Sequence, residues 1–159
     1  MESSYALTRD TAQAMSEENV EFVRQTIGLL AGQDVVAWLD DANEEDLQQL
    51  IEAVYSPDIT IRWLESNPDQ RLYEGRGEVL TAFSDWLDAW ETFVFEPTEF
   101  IDGGEHVLIP NTQHGTGKGS SVEISMTTTM VVTVRGGQIA RVREFDSHSE
   151  ALEAAGLSE

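Results

Sequence analysis

The first half of the chain carries apolar residues at helical spacing. From Ser16, a residue suited to cap a helix, apolar side chains recur every three or four positions as far as Gly32, namely Val20, Val23, Ile27 and Leu30. A second helical stretch runs from Asp34 to the proline at position 57, with a break near 41–43. A third covers about 77–90. The pattern therefore predicts three N-terminal helices.

The second half alternates apolar and polar residues instead. Alternation begins at Ile59, Ile61 and Trp63, and further strands are predicted over 93–101, 105–114, 121–134 and 138–146. A short C-terminal helix is predicted from Ser147, because Ser147 and Glu150 have the spacing of a capping box. Helices followed by a run of strands indicate an α+β fold, with the helices laid on one face of a curved antiparallel sheet.

Composition narrows the class of protein. The 159 residues suit one domain, which we expect to span 16–159 after a flexible N-terminal extension at 1–15. The chain has no cysteine, which excludes disulfides and thiolate chemistry, and we predict no metal site and no cofactor. A formal net charge of −21 disfavours nucleic acid and anionic membranes as partners. No apolar run is long enough to span a membrane and no secretory leader is evident, so we expect a cytoplasmic protein.

The order of elements resembles that of the nuclear transport factor 2-like superfamily, in particular its SnoaL-like branch, which contains polyketide cyclases and relatives of ketosteroid isomerase. The matching segments are SEENVEFVRQ (16–25), YSPDITIRW (55–63), YEGRGEV (73–79), FEPTEFIDGG (95–104), GTGKGSSVEI (115–124), VRGGQIARVREF (134–145) and SEALEAAGL (149–157). The resemblance implies a cone of three helices over a bent sheet, a pocket between them, and a homodimer through the outer sheet face. Residues 34–54 are longer than is usual in the family.

The resemblance also bears on the candidate catalytic residues. The positions of the isomerase base, acid and tyrosine fall on Trp63, near Thr129 and near Gln25, so that activity is not expected here. SnoaL-like cyclases use an aspartate borne on a strand, and Asp146 is the best match, although the usual position is one residue later. Alternation places Asp146 on one face with Glu144, whose negative charge would help Asp146 hold a proton in an apolar pocket. Alternatively, Asp146 only favours the start of the next helix, and Glu144 pairs with an arginine.

Two further features leave alternatives open. His114 either relays a proton to a substrate or is an exposed residue at the edge of a loop. In the strand 121–134, periodicity alone points the apolar face, with Met130 and Val132, at the domain core. The family register instead points Thr127 and Thr129 into the pocket and the apolar face at a dimer partner, and it is the register we expect.

Aromatic residues complete the predicted pocket. Trp63, Phe83 and Trp86 are candidate walls together with Val142, and Tyr55 is a candidate hydroxyl donor, although each aromatic residue could equally be plain core. An apolar pocket with few polar groups suits a small hydrophobic molecule. The sequence thus predicts a cofactor-independent cyclase or isomerase acting by general acid/base chemistry. The alternative is a ligand-binding or dimeric interaction domain without catalysis.

Overall fold

The structure, a computed structural model, describes residues 2–65 and 67–157, with the backbone alone for 2–13. Five helices are present in these ranges: α1 (Glu2–Gly28), α2 (Val35–Asp41), α3 (Glu44–Val54), α4 (Val79–Leu87) and α5 (His148–Ala154). Seven strands accompany them: β1 (Tyr55–Arg62), β2 (Tyr73–Glu74), β3 (Trp90–Pro97), β4 (Ile101–Gly103), β5 (His106–Gly117), β6 (Glu123–Arg135) and β7 (Gln138–Phe145). The predicted α+β class and curved, helix-covered sheet are confirmed.

The strands form one seven-stranded sheet. Its order is β2-β1-β7-β6-β5-β3, and β4 pairs with β5 beside β3. All pairs are antiparallel except β1 with β7, which run parallel, so the sheet is mixed. The long hairpin partners β5 and β6 pair from His106 opposite Thr133 to Thr116 opposite Glu123. This pairing fixes which side chains of the central strands share a face.

The start of α1 differs from the prediction. Ser16 lies within the helix rather than at its cap, and its hydroxyl donates a hydrogen bond to Asp102 at 2.9 Å. The flexible extension at 1–15 stays a prediction. Helices α3 and α5 begin at side-chain caps. Asn43 accepts hydrogen bonds from two backbone amides of α3, and Ser147 accepts one from the amide of Glu150, as the capping-box spacing indicated. No helix in the described ranges is long and apolar enough to cross a membrane.

Both faces of the sheet are covered. Helices α1 to α4 pack on the inner face, where the main core contains Phe93, Ile109 and Val132. On the outer face α5 covers a smaller cluster that contains Leu108, Val131 and Phe145. At the end of the sheet where α5 docks, consecutive strand residues are therefore buried on opposite sides.

The expected register of β6 is wrong. Met130 and Val132 lie in the main core beneath the helices, and Thr127 and Thr129 lie on the outer face beside α5. The physical reason is that helices cover the inner face of the sheet, and burial beneath them removes apolar side chains from water. Strand β6 therefore turns its apolar side toward the helices. Periodicity alone was the correct guide for this strand.

Candidate functional site

A small cavity lies between the inner face of the sheet and the helices. Its volume is about 60 Å³ and its walls are almost wholly apolar. The wall residues include Trp63, Phe83, Trp86, Phe95, Met130 and Val142. Five of the predicted pocket residues therefore lie at this cavity, although their contact with a ligand stays a prediction: Tyr55, Trp63, Phe83, Trp86 and Val142. Such a cavity suits an apolar group, because its walls have almost no polar atoms that would give up hydrogen bonds to water when a ligand binds.

The walls are held in place by packing between aromatic rings. The rings of Trp63 and Trp86 stack at 4.8 Å with an interplanar angle of 20°, and Phe83 meets both edge-on. Trp86 also meets Phe93 edge-on at 4.7 Å. The indole N–H of Trp63 donates to the backbone carbonyl of Ala82 at 2.9 Å, so it is already used inside the protein. This cavity therefore offers a ligand aromatic surface rather than indole hydrogen bonds.

A second apolar cavity of about 60 Å³ adjoins the first, beneath α2 and α3. Tyr55 and Phe83 line both cavities, together with Leu30 and Val35. The outer walls come from Trp38, Leu39, Leu47 and Ile51. These residues belong to the long segment 34–54, which the sequence analysis noted without assigning its side chains to the interior. Burial raises the pKa of Tyr55 above its usual range, so its hydroxyl remains a hydrogen-bond donor.

On the inner face of the sheet, beside the first cavity, lies the buried carboxyl of Glu144. Glu144 is 2% exposed, and it pairs across β6 and β7 with the wall residue Met130. The Nε2 of Gln113 donates to Glu144 Oε2 at 2.6 Å, and the hydroxyl of Thr128 lies 3.2 Å from the same oxygen. Asn111 completes the buried group, because its Oδ1 accepts from both Gln113 and Thr128. Glu144 thus lies beside the apolar walls, in a network of side chains from β5, β6 and β7.

Burial and hydrogen bonding act in opposite directions on Glu144. Removal from water raises the pKa of the carboxyl, and the charge of Asp146 raises it further. Hydrogen bonds from Gln113, Thr128 and the backbone of Leu64 lower it, and burial prevails. Glu144 therefore holds its proton to a higher pH than an exposed glutamate does. Among the side chains that the structure describes, no arginine lies within 4.0 Å of its carboxylate, although such a pair was the alternative expectation.

Asp146 does not enter the aromatic cavity, and that expectation is wrong. Its side chain is exposed and lines a separate outer groove of about 290 Å³ with Thr127, Thr129 and His148. Strand β7 ends at Phe145, so the alternation that put Asp146 on the side of Glu144 no longer applies beyond that residue. The hydroxyl of Thr129 lies 2.9 Å from Nδ1 of His148, which ties the wall of this groove to α5.

His114 also lies outside the interior. It is on the outer face of β5, and its Nε2 lies 3.5 Å from Glu96, while its side chain remains 43% exposed. The expectation of an exposed histidine therefore describes it better than the expectation of a proton relay. Of the predicted site residues, Asp146, His114, Thr127 and Thr129 are separated from the cavity by the sheet. The described residues contain no group of three or more His, Asp or Glu arranged to hold a metal ion.

Sequence reasoning missed three members of the interior polar group: Gln113, Asn111 and Thr128. Gln113 and Asn111 have the same strand parity as Val107 and Ile109, which are buried under the helices, and Thr128 has that of the apolar β6 residues buried in the same core. Polar residues that continue an apolar parity indicate a buried hydrogen-bonded group, because an unpaired polar side chain there would be costly. That signal was present in the sequence.

A bent sheet with helices over one face and an apolar interior defines a cone-shaped α+β pocket fold. The chain belongs to the SnoaL-like domain family, whose model matches residues 35–142. No curated protein sequence matches it.

Among solved structures, it is similar to an NTF2-like protein of unknown function from Burkholderia pseudomallei, with 14% identity over 86% of this chain and 95% of the other, and a TM-score of 0.62. A protein from Jannaschia sp. described as a SnoaL-like polyketide cyclase has 15% identity over 87% and 91% of the two chains, and a TM-score of 0.60. TerC, co-crystallised with polyporic acid, has 14% identity over 87% and 98%, and a TM-score of 0.59. At sequence identities of 14% and 15%, these similarities show the fold alone.

Proposed function

We propose that this protein binds a small hydrophobic molecule in the cone and acts on it as a cofactor-independent cyclase or isomerase, with Glu144 as the general acid/base. The observation that carries the proposal is a protonatable buried carboxyl beside an apolar, aromatic-walled cavity. The likeness to a protein described as a polyketide cyclase supports the same class of activity. Asp146 and His114 have no part in it, because they lie on the other side of the sheet.

The chemistry needs only one proton. Because burial raises the pKa of Glu144, the neutral carboxyl is available to protonate a developing oxyanion or carbanion of the substrate. The resulting carboxylate is stabilised by Gln113 and Thr128, and it then takes a proton back from another position of the substrate. The composition of the molecule is unchanged, as isomerisation requires. Met130, an unbranched and flexible side chain, lines the cavity directly across the strand pair from Glu144, so we expect it to move when a substrate reaches the carboxyl.

Growth of the cavity is part of the proposal. A volume of about 60 Å³ is below the roughly 300 Å³ of ordinary ligand pockets, so a bound ligand must displace wall side chains. Tyr55 and Phe83 are the wall side chains that we expect to move, since they line both apolar cavities and their displacement would join the two. The hydroxyl of Tyr55 would then offer a hydrogen bond to an oxygen of the ligand.

Binding is tested by quenching of tryptophan fluorescence with polyporic acid, the compound co-crystallised with TerC. We expect saturable quenching in the wild type. Val142→Phe, which fills the inner cavity, should abolish it. The matched control Val122→Phe makes the same change at a residue that is 57% exposed and should bind as the wild type does. Equal binding by both variants, each shown to be folded by circular dichroism, would place the ligand elsewhere.

Catalysis is tested by exchange of ligand protons in deuterated water, followed by mass spectrometry. Wild-type protein should speed exchange into a bound ligand that carries an acidic C–H bond, and Glu144→Gln should bind it equally but exchange at the uncatalysed rate. Unchanged exchange in Glu144→Gln would remove the acid/base role. An Asp146→Asn control should retain full activity.

A second candidate function is ligand binding, or an interaction domain, without catalysis. The specific observation in its favour is that Glu144 does not line the cavity and is engaged by Gln113 and Thr128, as a purely structural carboxyl would be. Saturable binding with recovery of unchanged, unexchanged ligand would favour the binding function. Absence of any interior binding would favour the interaction domain.

The homodimer stays a prediction. Its expected basis was an apolar outer face on β6, and that face instead presents threonines, because the apolar side packs under the helices. Light scattering at micromolar concentration tests it directly.

A further inference from the structure

A basic groove lies on the outer face of the sheet, away from the aromatic interior. It has a volume of about 610 Å³ and runs along β1 and β7 beneath the segment that leads to β2. Its walls include Arg62, Arg141 and Arg143, which are three of only nine basic residues in a chain of net charge −21. Such a concentration is unexpected for a solvated face of an acidic protein.

Strand pairing brings these arginines together. Arg62 lies directly opposite Arg143 across the parallel pair β1 and β7, and Arg141 lies two residues before Arg143 on the same face. Like charges in neighbouring positions of a sheet destabilise it. The arrangement is therefore one that folding alone does not favour.

Two of the guanidinium groups are held in fixed positions by one carboxylate. Glu65, whose side chain is 13% exposed, accepts from Nη1 of Arg62 at 3.0 Å and from Nε of Arg143 at 2.8 Å. Arg143 also lies over the ring of Phe145, with 4.9 Å between its guanidinium carbon and the ring centroid. Both oxygens of Glu65 are thereby used, whereas the terminal nitrogens of Arg143 make no hydrogen bond to another described residue.

The third guanidinium is not neutralised. No carboxylate in the described part of the chain lies within 4.0 Å of Arg141. Burial and the positive charge of Arg143 lower the pKa of Arg141, and Glu65 offsets this in part. Three positive charges thus face one negative charge in the groove.

We propose that this groove binds a small anion bearing a carboxylate or phosphate group, held by Arg141 and Arg143 with Arg62 beside them. Arginine is the residue whose planar array of N–H groups matches two oxygens of such a group. Thr60 and Gln70 supply neutral hydrogen-bonding groups at the walls, and Leu72, which is 50% exposed, offers an apolar contact for an organic remainder. A small anion suits the groove, because the three guanidinium groups line one bounded cleft of about 610 Å³. This site is independent of the interior proposed above.

The proposal is tested on the full chain by titration with inorganic phosphate, and separately with succinate, at constant ionic strength maintained with sodium chloride. Backbone amide signals of β7 are followed by NMR. We expect saturable shifts centred on Arg141 and Arg143. Arg141→Gln should weaken binding at least about tenfold, since a charge-assisted hydrogen bond is lost. The matched control Arg24→Gln removes one positive charge from α1, outside the groove, and should bind within about twofold of the wild type.

Each outcome of these titrations either supports or overturns the proposal. Saturable binding of either anion that depends on Arg141 and not on Arg24 supports the proposal. Equal weakening by both variants overturns it, because the effect would then follow net charge alone. No binding of either anion also overturns it, whichever oligomeric state light scattering shows. Arg141 is exposed, so its variant should give an amide spectrum otherwise matching that of the wild type.

Discussion

Replacement of Gln113 and Glu144 by methionine, singly and together, is the sharpest test of the buried polar network. Methionine is unbranched and similar in length to both residues, so it removes the polar atoms with little change in shape. Gln113 is 1% exposed, and its Nε2 lies within 3.1 Å of acceptors on Asn111, Thr128 and Glu144. Because an amide group has two N–H bonds, it serves two of these acceptors at a time.

The expected magnitudes follow from which groups lose partners. Gln113→Met removes the 2.6 Å donor to Glu144 and leaves that carboxyl buried, which should cost about 3 kcal/mol in the free energy of unfolding. Glu144→Met leaves Gln113 with two acceptors and should cost only about 1 kcal/mol. In the double variant Thr128 and Asn111 still pair at 3.2 Å, so its cost should be about 1–2 kcal/mol. The coupling energy between the two positions is then at least about 2 kcal/mol.

Urea unfolding at pH 7, followed by circular dichroism, measures all four proteins. The single variant Gln113→Met should also lower Tm by roughly 6–12 °C for a domain of this size, and the second substitution should restore much of that loss. Additive costs, with the double variant less stable than either single variant by their full sum, would refute the reasoning. That result would mean that the hydrogen bond between the two side chains contributes no coupling.

Three further predictions concern the interior, the sheet and the pH dependence of stability. Trp63→Phe keeps the ring stacking but loses the indole hydrogen bond to α4, and it should cost about 1 kcal/mol in urea unfolding; no change would show that the carbonyl finds water instead. Gly115→Ala should cost at least about 3 kcal/mol or prevent folding, because its Cβ would lie 2.0 Å from the backbone oxygen of Thr92, whereas Gly77→Ala meets no atom within 4 Å and serves as the control. The raised pKa of Glu144 means that the folded state binds this proton more tightly than the unfolded chain does. The stability of the wild type relative to Glu144→Gln should therefore fall as pH rises from about 4.5 through the folded pKa, and a flat or rising difference in thermal melts across that range would contradict the assignment.

The longer elements could be predicted from the sequence because apolar periodicity indicates burial, whereas strands β2 and β4, of two and three residues, are too short to show such a period. Three of the four helices that precede the main run of strands contain predicted apolar stripes, and Trp63, Phe83 and Trp86 were identified as interior before any contact was known. The parallel pairing of β1 with β7 could not be read from local pattern, because it joins residues far apart in the chain. The same limit hid the arginine groove, whose members lie on two strands that only the fold makes neighbours.

Strand parity accounts for what was predicted wrongly about the site. Alternation identifies faces only within a strand, and a strand end misjudged by one residue moves a side chain to the other side of the sheet. The predicted strand reached Asp146, whereas β7 ends at Phe145, and Asp146 lies on the outer groove as a result. For Thr129 the error was different: the family register was preferred to the apolar period of β6, and the helices cover the apolar side.

The burial of Glu144 and Phe145 as consecutive residues has a consequence for function. The sheet is covered on both faces at this point, by the helices above Glu144 and by α5 above Phe145, so both side chains are removed from water. A carboxyl in that position must be either protonated or hydrogen-bonded, and Gln113 and Thr128 already engage one of its two oxygens, Oε2. In the proposed function a ligand has to displace Met130 to reach the carboxyl, whereas a structural Glu144 needs no such movement. The coupling energy with Gln113 and the rate of proton exchange must therefore both be measured on this one residue.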